Sequence, residues 1–318
     1  MLRPGAQVLI VGGTRYLGRL LTEACLAAGA QLTLLNRGRT ADGWIGERAV
    51  RRVHGERRDP DVLRRAFDRE YDAVFDMIAY RPEDVAPLLD APLHARCGHL
   101  VVCSTTSVYA PALYQPIDEE HPRGPHPAWG EYNTGKNAVE DLALAAGATT
   151  LRPQWVFGPH DHQRLAAFPL ARIATGRPVW LWHPGVARLN WTYAEDLASA
   201  FLHVALEPAA RGQAYNVCCD ETLTGLAFLD LCGEAVGATP DVRFFDPAAL
   251  PEHLRGSRPG ALRNLPLACT AHRLRHAFGW RATPMRAALD RTVRWLRESG
   301  ALEAPDSTPV EEWLAARG

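Results

Sequence analysis

A strand that runs straight into a glycine-rich turn and then into a helix constrains this chain more than any other feature. Val8-Leu9-Ile10-Val11 leads into Gly12-Gly13-Thr14-Arg15-Tyr16-Leu17-Gly18. Leu17, Leu20, Leu21 and Cys25 then recur at helical spacing, which predicts a helix over Leu17–Ala28. Glycines at such a turn let backbone approach a phosphate, and the N–H groups opening the helix face the same point with partial positive charge. The segment therefore predicts a nucleotide phosphate-binding βα turn; a plain βα connection is the bland alternative.

The rest of the first half repeats the rhythm. Short β-branched runs predict strands at Gln7–Val11, Gln31–Leu35, Ala49–Val53, Ala73–Met77, His99–Cys103 and Thr149–Leu151. Between two of them Asp59–Asp68 reads as a helix, with an acidic N-cap followed by Pro60 at its first position. Strands alternating with helices predict an α/β fold with a Rossmann-type, doubly wound parallel sheet, placed at residues 1–155. Beyond it Pro and Trp cluster around Arg177-Pro178-Val179-Trp180-Leu181-Trp182, so residues 156–318 are expected to form mainly a smaller C-terminal substrate-binding lobe and terminal helices. Residues 190–218 look like returning segments, a helix over Thr192–Leu206 and a strand over Ala214–Cys218, and Met285–Leu296 reads as a capping amphipathic helix.

Composition narrows the classes of function. The 318 residues are 47% hydrophobic and 22% charged, with a net charge of −1, which gives no global field for nucleic acid or anionic lipid. Seven scattered cysteines without a CxxC and an N-terminus lacking a signal-peptide pattern fit a reducing cytoplasm, and no apolar run approaches the ~20 residues of a membrane span. His160, Asp161 and His162 lack a fourth ligand, and Cys218-Cys219 lack histidines beside them, so no metal is expected.

Two further segments carry chemistry. Leu35-Asn36-Arg37-Gly38-Arg39, at the end of the second predicted strand, has no carboxylate to hold a ribose 2′-hydroxyl, whereas a guanidinium suits a 2′-phosphate. NADP is therefore preferred, with NAD the alternative. Tyr132-Asn133-Thr134-Gly135-Lys136 spaces a phenol and an ammonium four residues apart, on one helix face. A phenol titrating near pH ~10 is a poor base at neutral pH, so a neighbouring Lys⁺ and the positive nicotinamide ring are expected to favour the phenolate.

Together these motifs resemble the extended short-chain dehydrogenases/reductases, the epimerase/dehydratase family, over most of the chain. The glycine turn departs from the family at Arg15, where the pattern has glycine; in single-domain NADPH reductases of the superfamily a basic residue is common at that place. The resemblance implies that Gly12, Gly13, Thr14, Arg15, Tyr16, Leu17 and Gly18 hold the cofactor diphosphate and that Asn36 and Arg37 face the adenosine ribose. Glu56 and Arg57 would lie beside the adenine, and Ile78, Ala79 and Pro153 would line the cofactor. It makes Tyr132 the acid/base and Lys136 its partner, both also facing the cofactor. Val101-Val102-Cys103-Ser104-Thr105-Thr106-Ser107-Val108-Tyr109 resembles the family's serine-rich segment, giving Thr105 the catalytic hydroxyl, with Ser104 and Ser107 competing. Leu151-Arg152-Pro153-Gln154-Trp155-Val156-Phe157-Gly158-Pro159 and Trp191-Thr192-Tyr193-Ala194-Glu195-Asp196 look like further family landmarks.

What the resemblance implies is an oxidoreductase acting on a hydroxyl or carbonyl of a sugar-like or other small molecule, with epimerase, dehydratase and reductase all open and a homodimer as the common assembly. Leu189 stands where nucleotide-sugar epimerases have a diphosphate-binding arginine. Trp155, Trp180, Trp182 and Trp191 fit either a pocket wall or plain packing. The same glycine turn also resembles an atypical branch that includes chloroplast stem-loop RNA-binding proteins. The near-neutral charge and the Tyr132–Lys136 pair argue against nucleic acid as partner. A non-catalytic cofactor-binding module is the third alternative.

Overall fold

The computed structural model describes residues 1–46, 48–255, 265–303 and 307–317. Along the chain come β1 (Gln7–Val11), α1 (Leu17–Ala27), β2 (Gln31–Asn36), β3 (Val50–His54), α2 (Pro60–Ala66), β4 (Ala73–Asp76), α3 (Pro82–Leu89), α4 (Ala91–His94), β5 (Leu100–Cys103), α5 (Glu131–Ala145) and β6 (Thr149–Pro153). They are followed by β7 (Val156–Phe157), α6 (Ala167–Ala174), β8 (Val179–Trp182), β9 (Arg188–Leu189), β10 (Thr192–Tyr193), α7 (Ala194–Val204), β11 (Ala214–Val217) and β12 (Leu223–Thr224). Last come α8 (Gly225–Val236), β13 (Val242–Phe245), α9 (Glu252–Arg255), α10 (His272–Phe278), α11 (Met285–Glu298) and α12 (Pro309–Ala315).

Two units divide these elements. The first, residues 1–154, 194–218 and 270–282, holds a seven-stranded sheet in the order β11-β6-β5-β4-β1-β2-β3. Every pairing in it is parallel, the arrangement expected of a doubly wound sheet. Helices cover both faces, so the central strands are continuous apolar runs: Val8, Leu9, Ile10, Phe75, Val101 and Val102 are all fully buried. From β1 the chain moves out to β2 and β3, then crosses back to β4 on the other side. The C-terminal ends of β1 and β4 thus frame a topological switch point, where ligands bind in open α/β sheets. Segment 270–282 joins this unit through hydrogen bonds from Thr270 N to Ile117 O and from Trp280 Nε1 to the Asp196 carbonyl.

Local chemistry sets the element ends. Asp59 caps α2 by accepting from Asp61 N at 2.8 Å, with Pro60 at the first helical position, as its sequence predicts. That helix stops at Ala66, short of the expected Asp68, and β3 lies one residue later than expected because Val50 pairs with Leu32 and His54 with Asn36. The helix expected from Thr192 starts at Ala194 instead, since Thr192 and Tyr193 pair in parallel with Val156 and Phe157.

The second unit comprises residues 155–193, 219–269 and 283–318. In it β8 pairs with β13, and α8 packs on α6 and α11. Trp191 is fully buried and stacks on Phe228 at 4.3 Å between ring centroids, while Trp180 sits in a core cluster with Phe245, Leu250 and Val310. These two tryptophans are packing residues. Among the described residues no helix is long and apolar enough to cross a membrane.

Candidate active site

The glycine turn is shaped by contacts that a side chain would destroy. Gly12 has φ +90, and a Cβ there would lie 2.7 Å from Ile78 Cγ2. A Cβ on Gly18 would stand 1.9 Å from the Gly12 carbonyl oxygen, so this glycine is what brings α1 down onto the turn. Thr22 fixes the turn from inside by donating to the Gly13 carbonyl at 2.7 Å. Arg15 is exposed, and the left-handed backbone falls on buried Tyr16, at φ 45, directly before α1. Helix α1 opens with neither a side-chain cap nor an acidic residue, so although Gly18 N donates to the Arg15 carbonyl at 3.1 Å, the positive end of the helix is left to face an anion. A diphosphate fits this cradle.

At the end of β2, Asn36 Oδ1 accepts from Gly38 N at 2.7 Å and lies 3.2 Å from His54 Nδ1, while its Nδ2 is buried without a partner. Arg37 is over half exposed and 4.0 Å from Glu56. Arg57 behaves differently. Its guanidinium, buried to 9% exposure, grips both oxygens of fully buried Asp76 and donates to the Asp84 carbonyl at 2.6 Å. Burial works to lower its pKa, but the charge and hydrogen bonds of Asp76 outweigh it and the value is raised. The side chain expected beside the adenine is thus taken up inside the unit. Asp76 also receives Ile78 N at 3.1 Å, which orders the strand end where Ile78 packs against the Gly12 face and Ala79 is fully buried. Pro153, buried, ends β6.

Helix α5 carries Tyr132 in its first turn and Lys136 one turn later. It can sit this close to the loop after β4 because residue 135 is glycine: a Cβ there would be 2.4 Å from the Tyr80 carbonyl oxygen. Lys136, 2% exposed, donates to the Cys103 carbonyl at 2.8 Å, and its ammonium lies 4.7 Å from the centroid of the Tyr80 ring. Burial lowers its pKa, against the pull of Cys103, Asp76 and Glu140.

Of the three hydroxyls in the serine-rich segment, that of Thr105 is the one that acts on the Tyr132 phenol, favouring its ionised form. Thr105 is itself fixed by Ser107, whose N–H reaches its Oγ1 at 3.1 Å and whose Oγ accepts from it at 3.2 Å. Ser104 Oγ is buried without a partner. Tyr132 keeps 43% of its surface exposed, yet the protein atoms around its hydroxyl withdraw it from water and push the phenol up to about 12; Thr105 opposes this, and Cys103 and Tyr80 add to it. The protein's own groups hold Tyr132 as a neutral phenol.

Two features escaped the motif reading. Lys136 is the single lysine in a chain with 35 Lys and Arg residues, so wherever else the protein needs a fixed cation it uses arginine. That compositional contrast marks position 136 without any motif. The other feature is a buried network behind α5. Arg152 binds Glu140 through two nitrogens at 2.9 and 2.7 Å and donates to Tyr109 Oη at 3.0 Å, and Tyr109 donates to Asn216 Oδ1 at 2.7 Å. An arginine inside the apolar β6 run, and a glutamate one turn past Lys136, were its only signals in the sequence.

The family profile described as NAD dependent epimerase/dehydratase matches residues 8–218. The chloroplast stem-loop binding protein of 41 kDa b from Arabidopsis thaliana is 25% identical over 290 residues, covering 86% of this chain and 75% of that protein. A 2-alkyl-3-oxoalkanoate reductase from Stenotrophomonas maltophilia is 27% identical over 258 residues, covering 73% of this chain and 76% of the other. In fold, the chain is similar to dTDP-glucose 4,6-dehydratase of Bacillus anthracis, a structure solved in complex with NAD, with a TM-score of 0.76 at 18% identity over 92% of this chain and 97% of that one.

Proposed function

The chain belongs to the NAD dependent epimerase/dehydratase family, and on that premise we propose that it is an NAD(P)-dependent oxidoreductase in which Tyr132 exchanges a proton with a small-molecule hydroxyl or carbonyl. The observation that carries this reading is buried Lys136, which donates to the Cys103 carbonyl at the C-terminal end of β5 and lies one helical turn after Tyr132 on α5. A nicotinamide cofactor supplies hydride exchange when bound. Residues 12–18 would hold its diphosphate, Asn36 and Arg37 its adenosine ribose, and Glu56, Ile78, Ala79 and Pro153 its flanks. Arg37, half exposed and held only by a 4.0 Å pair to Glu56, is free to turn to a 2′-phosphate, which makes NADP the preferred form.

The Tyr132 phenol carries its proton at pH 7 and can give it to a carbonyl oxygen. Thr105 shares that oxygen as a hydrogen-bonding orienter, and Lys136 supplies the charge that favours the phenolate once the proton has left. Carbonyl reduction is the finer reading, and the similarity to a 2-alkyl-3-oxoalkanoate reductase supports it. A second reading, stem-loop RNA binding, has the similarity to the chloroplast protein behind it.

Equilibrium binding of NADPH and NADH to the purified protein tests the first reading. NADPH is expected to bind more tightly, to lose roughly tenfold or more with Arg37→Asp, and to bind Tyr132→Phe as it does the parent. In a screen of carbonyl substrates Tyr132→Phe should cost about 10²-fold or more in turnover. Failure to bind either cofactor overturns the oxidoreductase reading.

A further inference from the structure

We propose that Tyr80 is a positioning residue, holding the Lys136 ammonium with the face of its ring at the base of the Tyr132 site. The inference rests on the oxidoreductase reading for its consequence, but its geometry is independent of that reading.

Lys136 is buried, yet its immediate partners are one carbonyl, that of Cys103 at 2.8 Å, and the Tyr80 ring at 4.7 Å. The carboxylates that act on it through space are committed elsewhere, Asp76 to Arg57 and Glu140 to Arg152. A cation so placed pays for its lost water through the negative face of an aromatic ring, an interaction strongest where water is excluded. The ring is held for this task from both ends of its residue. Tyr80 N donates to Asp84 Oδ2 at 2.9 Å and Arg81 N donates to the same oxygen at 3.0 Å, while Arg58 anchors the other Asp84 oxygen at 2.7 and 3.0 Å. Its carbonyl lies under Gly135, between Tyr132 and Lys136 on α5. The ring also lies 6.4 Å from the Tyr132 ring, tilted by 46°. Tyr80 remains 50% exposed, so the apolar core does not require an aromatic side chain there. Its one face toward the interior covers the ammonium.

Because Lys136 is the only lysine, protein grown on lysine labelled with 13C at Cε gives a single side-chain resonance, and its titration can be followed without any substrate. Tyr80→Leu is expected to shift that titration downward by about one pH unit, and Tyr80→Phe to leave it within about 0.3 unit of the parent. If Tyr80→Leu fails to fold by circular dichroism, Tyr80→Phe is compared with Tyr80→trifluorophenylalanine, which keeps the ring's shape and weakens its negative face. The fluorinated ring should titrate lower. Coincident titrations in either comparison overturn the proposal. Loss of NADPH binding in the unmodified protein would sink the oxidoreductase reading instead, and leaves this result standing. Once a carbonyl substrate is found, the alkaline limb of the kcat/KM profile should move down in Tyr80→Leu and return in Tyr80→Phe.

Discussion

Two charges buried side by side are stable only as a pair. Arg57 and Asp76 are 9% and 0% exposed, and beyond their pairing Arg57 donates to the Asp84 carbonyl and Asp76 accepts from Ile78 N. Removing one partner strands the other in a dry interior, which typically costs about 3–5 kcal/mol, whereas replacing both by apolar groups of similar size is often close to neutral. Asp76→Ala is therefore expected to lower unfolding free energy by about 3 kcal/mol or more in urea titration, and Asp76→Leu combined with Arg57→Met to recover most of that loss. Equal destabilisation by the single and the double variant would show that the pair contributes something other than mutual compensation. The exposed pair of Arg286 with Glu234 is the contrast: with both side chains about half exposed, Arg286→Ala should leave the urea midpoint nearly unchanged.

Elements are where the sequence was most readable, and also where its limits show. The strand–turn–helix at residues 7–27 was legible because three signals coincide there: an apolar β run, glycines where a Cβ would meet Ile78 or the Gly12 carbonyl, and helical periodicity. Tyr132 and Lys136 were legible through their spacing on one helix. The partners that fix those elements were not, because Arg57 finds Asp76 nineteen residues away and Arg152 finds Glu140 twelve away, with no periodic pattern to link them. Nor does local propensity foretell the two-residue pairing of β10 with β7, which took the expected first turn from α7. His99 is another such tie. Its ring joins the approach to β5 with β6 and the end of α7, through Thr149 Oγ1 at 2.8 Å and the Ala205 carbonyl at 3.1 Å, and burial, reinforced by Arg211, pushes it down to about 4. An unfolded imidazole titrates near pH ~6.5, so between about 6.5 and 4 the unfolded chain holds the extra proton and stability falls as the pH falls. The loss is complete below about pH 4 and amounts to roughly 3 kcal/mol. Urea midpoints measured from pH 7 to 5 should fall less steeply in His99→Gln, by up to one proton's worth of slope; parallel slopes would mean that His99 is already protonated in the folded protein.

For the molecule as a whole, charge separates the two readings that the relatives support. With 35 basic and 36 acidic residues the chain has a net charge of −1, and many of its arginines are already paired with carboxylates, as in Arg51–Asp68, Arg123–Asp141 and Arg273–Glu120. Affinity for RNA comes largely from cations that displace counterions from phosphates, and it declines steeply with salt. A surface of balanced charge gives a duplex or loop little net attraction, whereas the cradle at residues 12–18 needs no side-chain cation: backbone N–H groups and the end of α1 provide the attraction for one diphosphate. A ligand that binds only the folded state stabilises it by about 2.7 kcal/mol at a hundred times its Kd. Saturating NADPH at 150 mM salt should therefore raise the melting temperature by several degrees, while a stem-loop RNA at the same salt should leave it unchanged. The reverse pattern, a shift with RNA and none with NADPH, would transfer the glycine turn from cofactor to nucleic acid and leave Tyr132 and Lys136 without a proton to move.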